Sequence, residues 1–281
     1  MNLTLQSGQW RADLRPKVGG ALAGLWYGET PVLRIMAAEA EDALQSACFP
    51  LVPYCNRIRD GRFIFADRAV VLAPNLLPEP HSLHGLGWRR PWVVASLSAD
   101  SARLRDDYIG GEGWPWLYRA EQTVELDSDG CTLRLTVTNL ANDPMPAGLG
   151  LHPYFRRRPE TRVQFTAQSL AVCDSELLPT GAMLPADTLA MWNNGCLLPP
   201  ETVDHCHAGW QGTVRIEDDL GSITMTATSA PHLHVYAPAD GSALCFEPVS
   251  HLPDAPNQNP GSMALLAPGE DMVLEMRITA A

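Results

Sequence analysis

The sequence predicts an all-β protein built as one large antiparallel β-sandwich. Several segments alternate apolar and polar residues with the period of two expected of a strand buried on one face. Turn-forming residues recur between them: 24 prolines and 22 glycines in 281 residues favour many short strands over long helices. No internal repeat, charge block or low-complexity linker interrupts the chain, so residues 1–281 read as a single domain.

Taken in chain order, Ala37 to Ala47 is rich in Ala, Glu and Leu and has the helix propensity of a short helix or connecting turn. Thr132 to Thr138 shows the clearest strand alternation, with Leu133, Leu135 and Val137 on one face and Thr132, Arg134, Thr136 and Thr138 on the other. The stretch Tyr118 to Leu126 precedes it through Asp127-Ser128-Asp129-Gly130, whose residues tolerate the left-handed backbone of a hairpin turn. A second hairpin runs through Val214 and Ile216, turns at Asp219-Leu220-Gly221, and returns through Ile223, Met225 and Ala227. His232 to Tyr236, Ala243 to Glu247 and Met272 to Thr279 complete the predicted strands.

A net charge of −12 and a pI near 5.0 disfavour nucleic acid, which selects clustered Lys and Arg. The single lysine is Lys17. A small neutral or weakly charged molecule is the expected partner, although a local arginine pocket is compatible with one phosphate. The seven cysteines form neither a disulfide framework nor a CxxC pair. Met1 to Arg15 does not resemble a secretory leader, and no apolar run reaches the ~18 residues of a membrane helix. A cytoplasmic protein without membrane contact is expected. Edge strands of a sandwich can pair between subunits, and no sequence feature selects monomer or dimer.

Four segments set polar, titratable residues beside Gly or Pro where a core would use apolar ones. Cys55-Asn56-Arg57-Ile58-Arg59-Asp60-Gly61 offers two guanidinium forks and an amide, suited to hydroxyl or carboxylate groups; it also fits a surface turn. His81-Ser82-Leu83-His84-Gly85 is followed by Trp88, Arg89, Arg90, Pro91 and Trp92, which suits an aromatic wall beside a sugar ring and equally a tryptophan core with hydrogen-bonded histidines. In Gly150-Leu151-His152-Pro153 the proline holds His152 extended, as a general acid or a satisfied core histidine. Phe246-Glu247-Pro248 buries a carboxylate in an apolar strand, which requires a partner, catalytic or an arginine.

His205-Cys206-His207 and His232-Leu233-His234 each place two histidines on one face of a strand, but with neither a structural zinc spacing nor HExxH, so no metal is expected. Nucleotide-binding glycine loops and a GxSxG nucleophile turn are absent.

Together these segments, in this order, resemble the aldose 1-epimerase (galactose mutarotase) family along nearly the whole chain. Leu14 to Gly20 with Val32-Leu33-Arg34 resembles its opening hairpin. Phe49 to Ile58 resembles the segment with its substrate-binding Asn and Arg, here Asn56 and Arg57. His84-Gly85 with Arg90-Pro91-Trp92 is similar to its His-Gly motif, and Asp254-Ala255-Pro256-Asn257 to its usual continuation after Glu-Pro. The shorter match at Val203-Asp204-His205 resembles its sugar-binding aspartate segment.

The resemblance implies a sandwich with a concave sugar-binding face and a cofactor-free mutarotase. In that role Glu247 is the general base for the anomeric O1 proton and protonated His152 the general acid for the ring oxygen. His84, Arg57, Asn56 and Asp204 would hold the hydroxyls, and Trp88 or Trp92 would serve as a stacking wall or as core. Two other functions share the fold. A hexose-6-phosphate 1-epimerase would clamp phosphate with Arg59, Arg89 or Arg90, and a non-catalytic sugar-binding module would keep the site without the chemistry.

Overall fold

The protein is described by a computed structural model covering residues 2–259 and 261–281. Two sheets dominate it. The first has eleven strands, in the order Leu3–Ser7, Trp10–Arg15, Ala21–Tyr27, Cys48–Leu51, Gly150–Pro153, Cys245–Val249, His232–Ala237, Val203–Ala208, Ser169–Cys173 and Pro179–Pro185, with Thr30–Leu33 also paired to Ala21–Tyr27. The second has nine and is built around Ser101–Tyr108, Tyr118–Leu126, Cys131–Asn139, Asp271–Ala280, Gly221–Thr228 and Thr213–Asp218. Neighbouring strands run antiparallel in both.

Both predicted hairpins form, with Val124 opposite Leu133 in the first and Ile216 opposite Ile223 in the second. Their alternation is the alternation of burial, since Cys131–Asn139 buries every second residue against the other sheet. The predicted strand from Ala243 begins instead at Cys245 and extends to Val249. The Ala243 carbonyl accepts from the Arg157 guanidinium at 3.0 Å and leaves the ladder. Between Ala37 and Ala47 only Ala43–Gln45 is helical, as one 3₁₀ turn. Guanidinium groups take carbonyls that a helix would use: Arg15 binds those of Ala37 and Ala40, and Arg34 that of Ser46.

The central strands of the first sheet are buried on both faces, and period two sorts their side chains. Leu151, Leu233, Val235 and Phe246 point to the nine-stranded sheet and join Leu133, Val137, Leu274 and Met276 in the main core. Each such side chain contributes roughly 1.5–3 kcal/mol through burial. Phe49, Leu51, Tyr154, Cys206, Cys245 and Val249 point the other way and form a second cluster with Trp88. On that side the sheet is covered by the connection from Val52 to Trp92, and the polar residues singled out in the sequence meet there.

Candidate active site

The registers of five adjacent strands align one residue from each into a row across the sheet. Phe49 pairs with His152. The pairings Gly150 with Val249 and Tyr154 with Cys245 put His152 opposite Glu247. Glu247 pairs with His234, and His234 with Cys206. The row therefore reads Phe49, His152, Glu247, His234, Cys206, all on the face away from the main core.

Within it His152 Nε2 lies 3.2 Å from Glu247 Oε1, and His234 Nε2 lies 2.8 Å from Asp204 Oδ1. The His152 ring packs against those of Phe49 and Tyr154, each at 4.6 Å between centroids. The Arg34 guanidinium lies over Tyr154 at 3.4 Å. No arginine pairs with Glu247 among the described residues; its ion-pairing partner is His152.

The covering loops bring Asn56, Arg57 and His84 over this row. The His84 amide donates to the Asn56 carbonyl at 2.9 Å, and the Asn56 amide donates to His84 Nδ1 at 3.1 Å. The two residues, both left-handed at φ 58° and 54°, thus clamp each other. Gly85 is required beside them: it has φ +68°, and a Cβ there would lie 2.2 Å from the Val52 carbonyl oxygen. Arg57 is aimed by Glu79 at 3.3 Å. Asp254 supports the loop from below, accepting from the Arg59 amide at 2.9 Å and donating its own amide to the Arg57 carbonyl at 2.8 Å. His84, His152 and Glu247 converge so that their ligating atoms lie within 4.8 Å of one another. All six site residues predicted from sequence are thereby gathered on one face.

Burial governs the electrostatics. Glu247, 1% exposed, has its pKa pushed up to about 7 by burial, with His234 and Arg57 pulling against this and Asp204 adding to it. His152 is pushed down to about 3 by burial and by the charges of His234 and Arg34. His84 is held well below the usual range by burial and by its cationic neighbours. At His234 burial also opposes charge, but Glu247 and Asp204 prevail and raise its pKa well above the usual range. Burial and neighbouring charge thus favour a positive charge on His234 over one on His152, which is as deeply buried and faces two cations.

Other features of the sequence are resolved by side-chain direction. His207 packs against Phe165 and Trp192 in the main core, His205 lies half-buried on the same face of its strand, and His234 points to the site, so the two His-x-His pairs do not converge. The cluster of His84, His152 and Glu247 has the residue types of a metal site, but the Asn56 amide occupies the lone pair of His84 Nδ1. A neutral His84 then carries its proton on Nε2 and offers neither nitrogen as a ligand.

Both tryptophans take core roles: each is 2% exposed, and their indole N–H groups donate to Leu83 and Gly85 from Trp88 and to Gly87 from Trp92. Arg59 is engaged by Asp174 and Asp254, and Arg90 by Asp106, while Arg89 lies over Trp88. Two surface hollows, of about 440 Å³ beside Trp88 and about 510 Å³ beside Trp116, contain no member of the His84, His152 and Glu247 cluster.

His234 is the functional candidate that sequence reading missed as a site residue. Its signal was the polar stripe His232, His234, Tyr236 opposite Leu233 and Val235, which marks a second non-core face.

Asn, Arg, His and Glu side chains that converge over the central strands of one of two antiparallel sheets define a candidate active site on a β-sandwich. The chain belongs to the aldose 1-epimerase family, whose model it matches over residues 1–279. A protein of Escherichia coli K12, the uncharacterized YphB, is 34% identical over 286 residues, spanning 98% of this chain and 97% of its own. A crystal structure of an E. coli K12 protein provisionally assigned as an aldose 1-epimerase superposes with a TM-score of 0.92 at 33% identity, covering 100% of this chain and 99% of that one. A GalM/aldose epimerase homologue of Caenorhabditis elegans shares the fold at a TM-score of 0.83 and 21% identity, covering 100% and 98%. No helix among the described residues is long and apolar enough to cross a membrane.

Proposed function

We propose that this chain interconverts the α and β anomers of a free aldose, with Glu247 and His152 as the proton-transfer pair. The observation that carries the reading is their direct opposition in the sheet, 3.2 Å apart and both buried. Mutarotation moves one proton from O1 of the hemiacetal to the ring oxygen O5 and back. Glu247 takes the O1 proton as the C1–O5 bond opens to the aldehyde, and the His152 Nε2 proton passes to O5. After rotation about the bond to C1, both transfers reverse on closure.

The electrostatics refine the starting state. A pair with carboxyl raised and imidazole lowered holds a single proton below about pH 7, on Glu247 at rest. Transfer across the 3.2 Å contact gives the tautomer with ionised Glu247 and protonated His152 at no change in proton count. Between the two values, about 3 and about 7, the pair thus contains the one proton and the one base the reaction needs. His84 Nε2–H, Arg57, Asn56 and Asp204 supply donors and an acceptor for the ring oxygens.

The engagement of Arg59 and Arg90 by carboxylates favours a free over a phosphorylated sugar. The direct test is the optical rotation of freshly dissolved α-D-glucose and α-D-galactose with and without protein, repeated with glucose 6-phosphate. Faster decay with a free sugar is expected. Acceleration with the phosphate alone would reassign the substrate, and sugar-dependent thermal stabilisation without acceleration would indicate a binding module.

A further inference from the structure

The geometry points to His234 as a positioning residue for the general base: anchored by Asp204 and set directly across the sheet from Glu247, it supplies the cation that fixes the Glu247 carboxylate and limits how long the catalytic pair keeps its proton. This assignment rests on the mutarotase reading and adds to it a residue that takes no proton from the sugar.

Three contacts define its setting. Nε2 is committed to Asp204 Oδ1 at 2.8 Å, which fixes the ring plane and places a hydrogen on that nitrogen. Across one strand boundary the side chain faces Glu247 and across the other Cys206. From the covering loop Asn56 Nδ2 approaches Nδ1 at 3.5 Å, too long to commit that nitrogen, which remains free to carry a second hydrogen. The charged and titratable groups around the ring are Asp204 and Glu247, Cys206 and Cys173, and, opposing charge on it, His84, His152, His205 and His207.

Two carboxylates sit in direct contact or in register, whereas His84 and His152 are themselves held neutral by burial and by its charge. Burial raises the Glu247 pKa, and a cation beside it opposes that rise. An adjacent opposite charge typically moves a carboxyl by ~1–3 pKa units. Asp204 acts on the base in two opposed ways: directly, by raising its pKa, and by anchoring His234, which holds a cation against it.

The experiment uses the full chain and the variant His234→Gln, which keeps a polar side chain of similar length and removes the charge. ¹³C NMR titration of the Glu side-chain carboxyls, with Glu247→Gln to assign the resonance, should show Glu247 ionising near pH 7 in the parent chain. In His234→Gln it should ionise at least one unit higher. If the parent is a mutarotase, the alkaline limb of its kcat/KM profile moves up by the same amount, whereas a merely structural loss lowers the rate at every pH and leaves the limb in place.

An unmoved Glu247 resonance overturns the inference. The carboxyl titration needs no turnover, so a parent chain that fails to accelerate any sugar refutes the functional reading and still leaves this test to run. Should His234→Gln fail to fold, ¹⁵N NMR of the histidine rings in the parent chain decides. His234 should show both nitrogens protonated at pH 7.5 while His84 and His152 are neutral, and a neutral His234 refutes the role.

Discussion

Glu247→Gln should make the protein inactive and, above neutral pH, more stable. Both effects follow from the same burial. The carboxyl is 1% exposed, with Oε2 lacking a hydrogen-bond partner. Its pKa rises from 4.5 in the free group to about 7 in the fold. An acid whose folded pKa lies above its unfolded value loses stability as pH rises, because between the two values the unfolded chain has released a proton that the native state retains.

The penalty is absent below pH 4.5, grows to pH 7, and is complete above it. A rise of that size corresponds to about 3 kcal/mol. Glutamine has nearly the shape of the protonated carboxyl and carries no such charge penalty, and the rise to about 7 already includes the pull of His234 on the carboxylate. A net gain of roughly 1–3 kcal/mol is therefore expected at pH 8.5, and close to none at pH 4.5.

Urea denaturation at those two pH values reads the stability, and polarimetry reads the rate. Removal of a general base should lower the rate by about 10²–10⁴-fold. A rate within tenfold of the parent, or a stability change of the same size at both pH values, would refute the reasoning.

Three further outcomes can be checked. The mutarotation rate should fall as pH rises through about 7, where the His152 and Glu247 pair loses its last proton; a rate that climbs from pH 7 to pH 9 would contradict the shared-proton starting state. His207 is fully buried against Phe165 and Trp192 with neither ring nitrogen hydrogen-bonded, and burial holds its pKa at about 3. A base depressed in the fold loses stability as pH drops below its unfolded value of 6.5. His207→Leu should therefore stabilise by about 1–3 kcal/mol at pH 8 and by about 2 kcal/mol more at pH 5, measured by urea denaturation. Gly85→Ala should cost at least about 1–3 kcal/mol and displace His84, seen as a lower melting temperature together with weakened sugar turnover, because the added Cβ meets the Val52 carbonyl.

The sequence by itself determined part of the strand pattern and a list of candidate site residues. Period two in Thr132 to Thr138 and in Val214 to Ala227 is a direct image of burial on one face, so both hairpins and their turns were legible. The polar intrusions Asn56-Arg57, His84-Gly85, His152-Pro153 and Glu247-Pro248 stood out against an apolar background, and the family resemblance named them.

Register and burial were decided only by the tertiary structure. That His152 opposes Glu247, and Glu247 opposes His234, depends on how Gly150–Pro153 aligns with the consecutive strands His232–Ala237 and Cys245–Val249, which no local pattern encodes. The identity of the protonated histidine was equally hidden: the eight histidines have the same intrinsic affinity for a proton. His234 is raised by two neighbouring carboxylates, while His152 and His207 are lowered by desolvation. Trp88 and Trp92 became core rather than sugar walls because their indole N–H groups found backbone carbonyls within their own loop. Local sequence specifies which groups are present and which face each takes; the field that sets their charge is summed over neighbours that only the folded chain brings within a few ångströms.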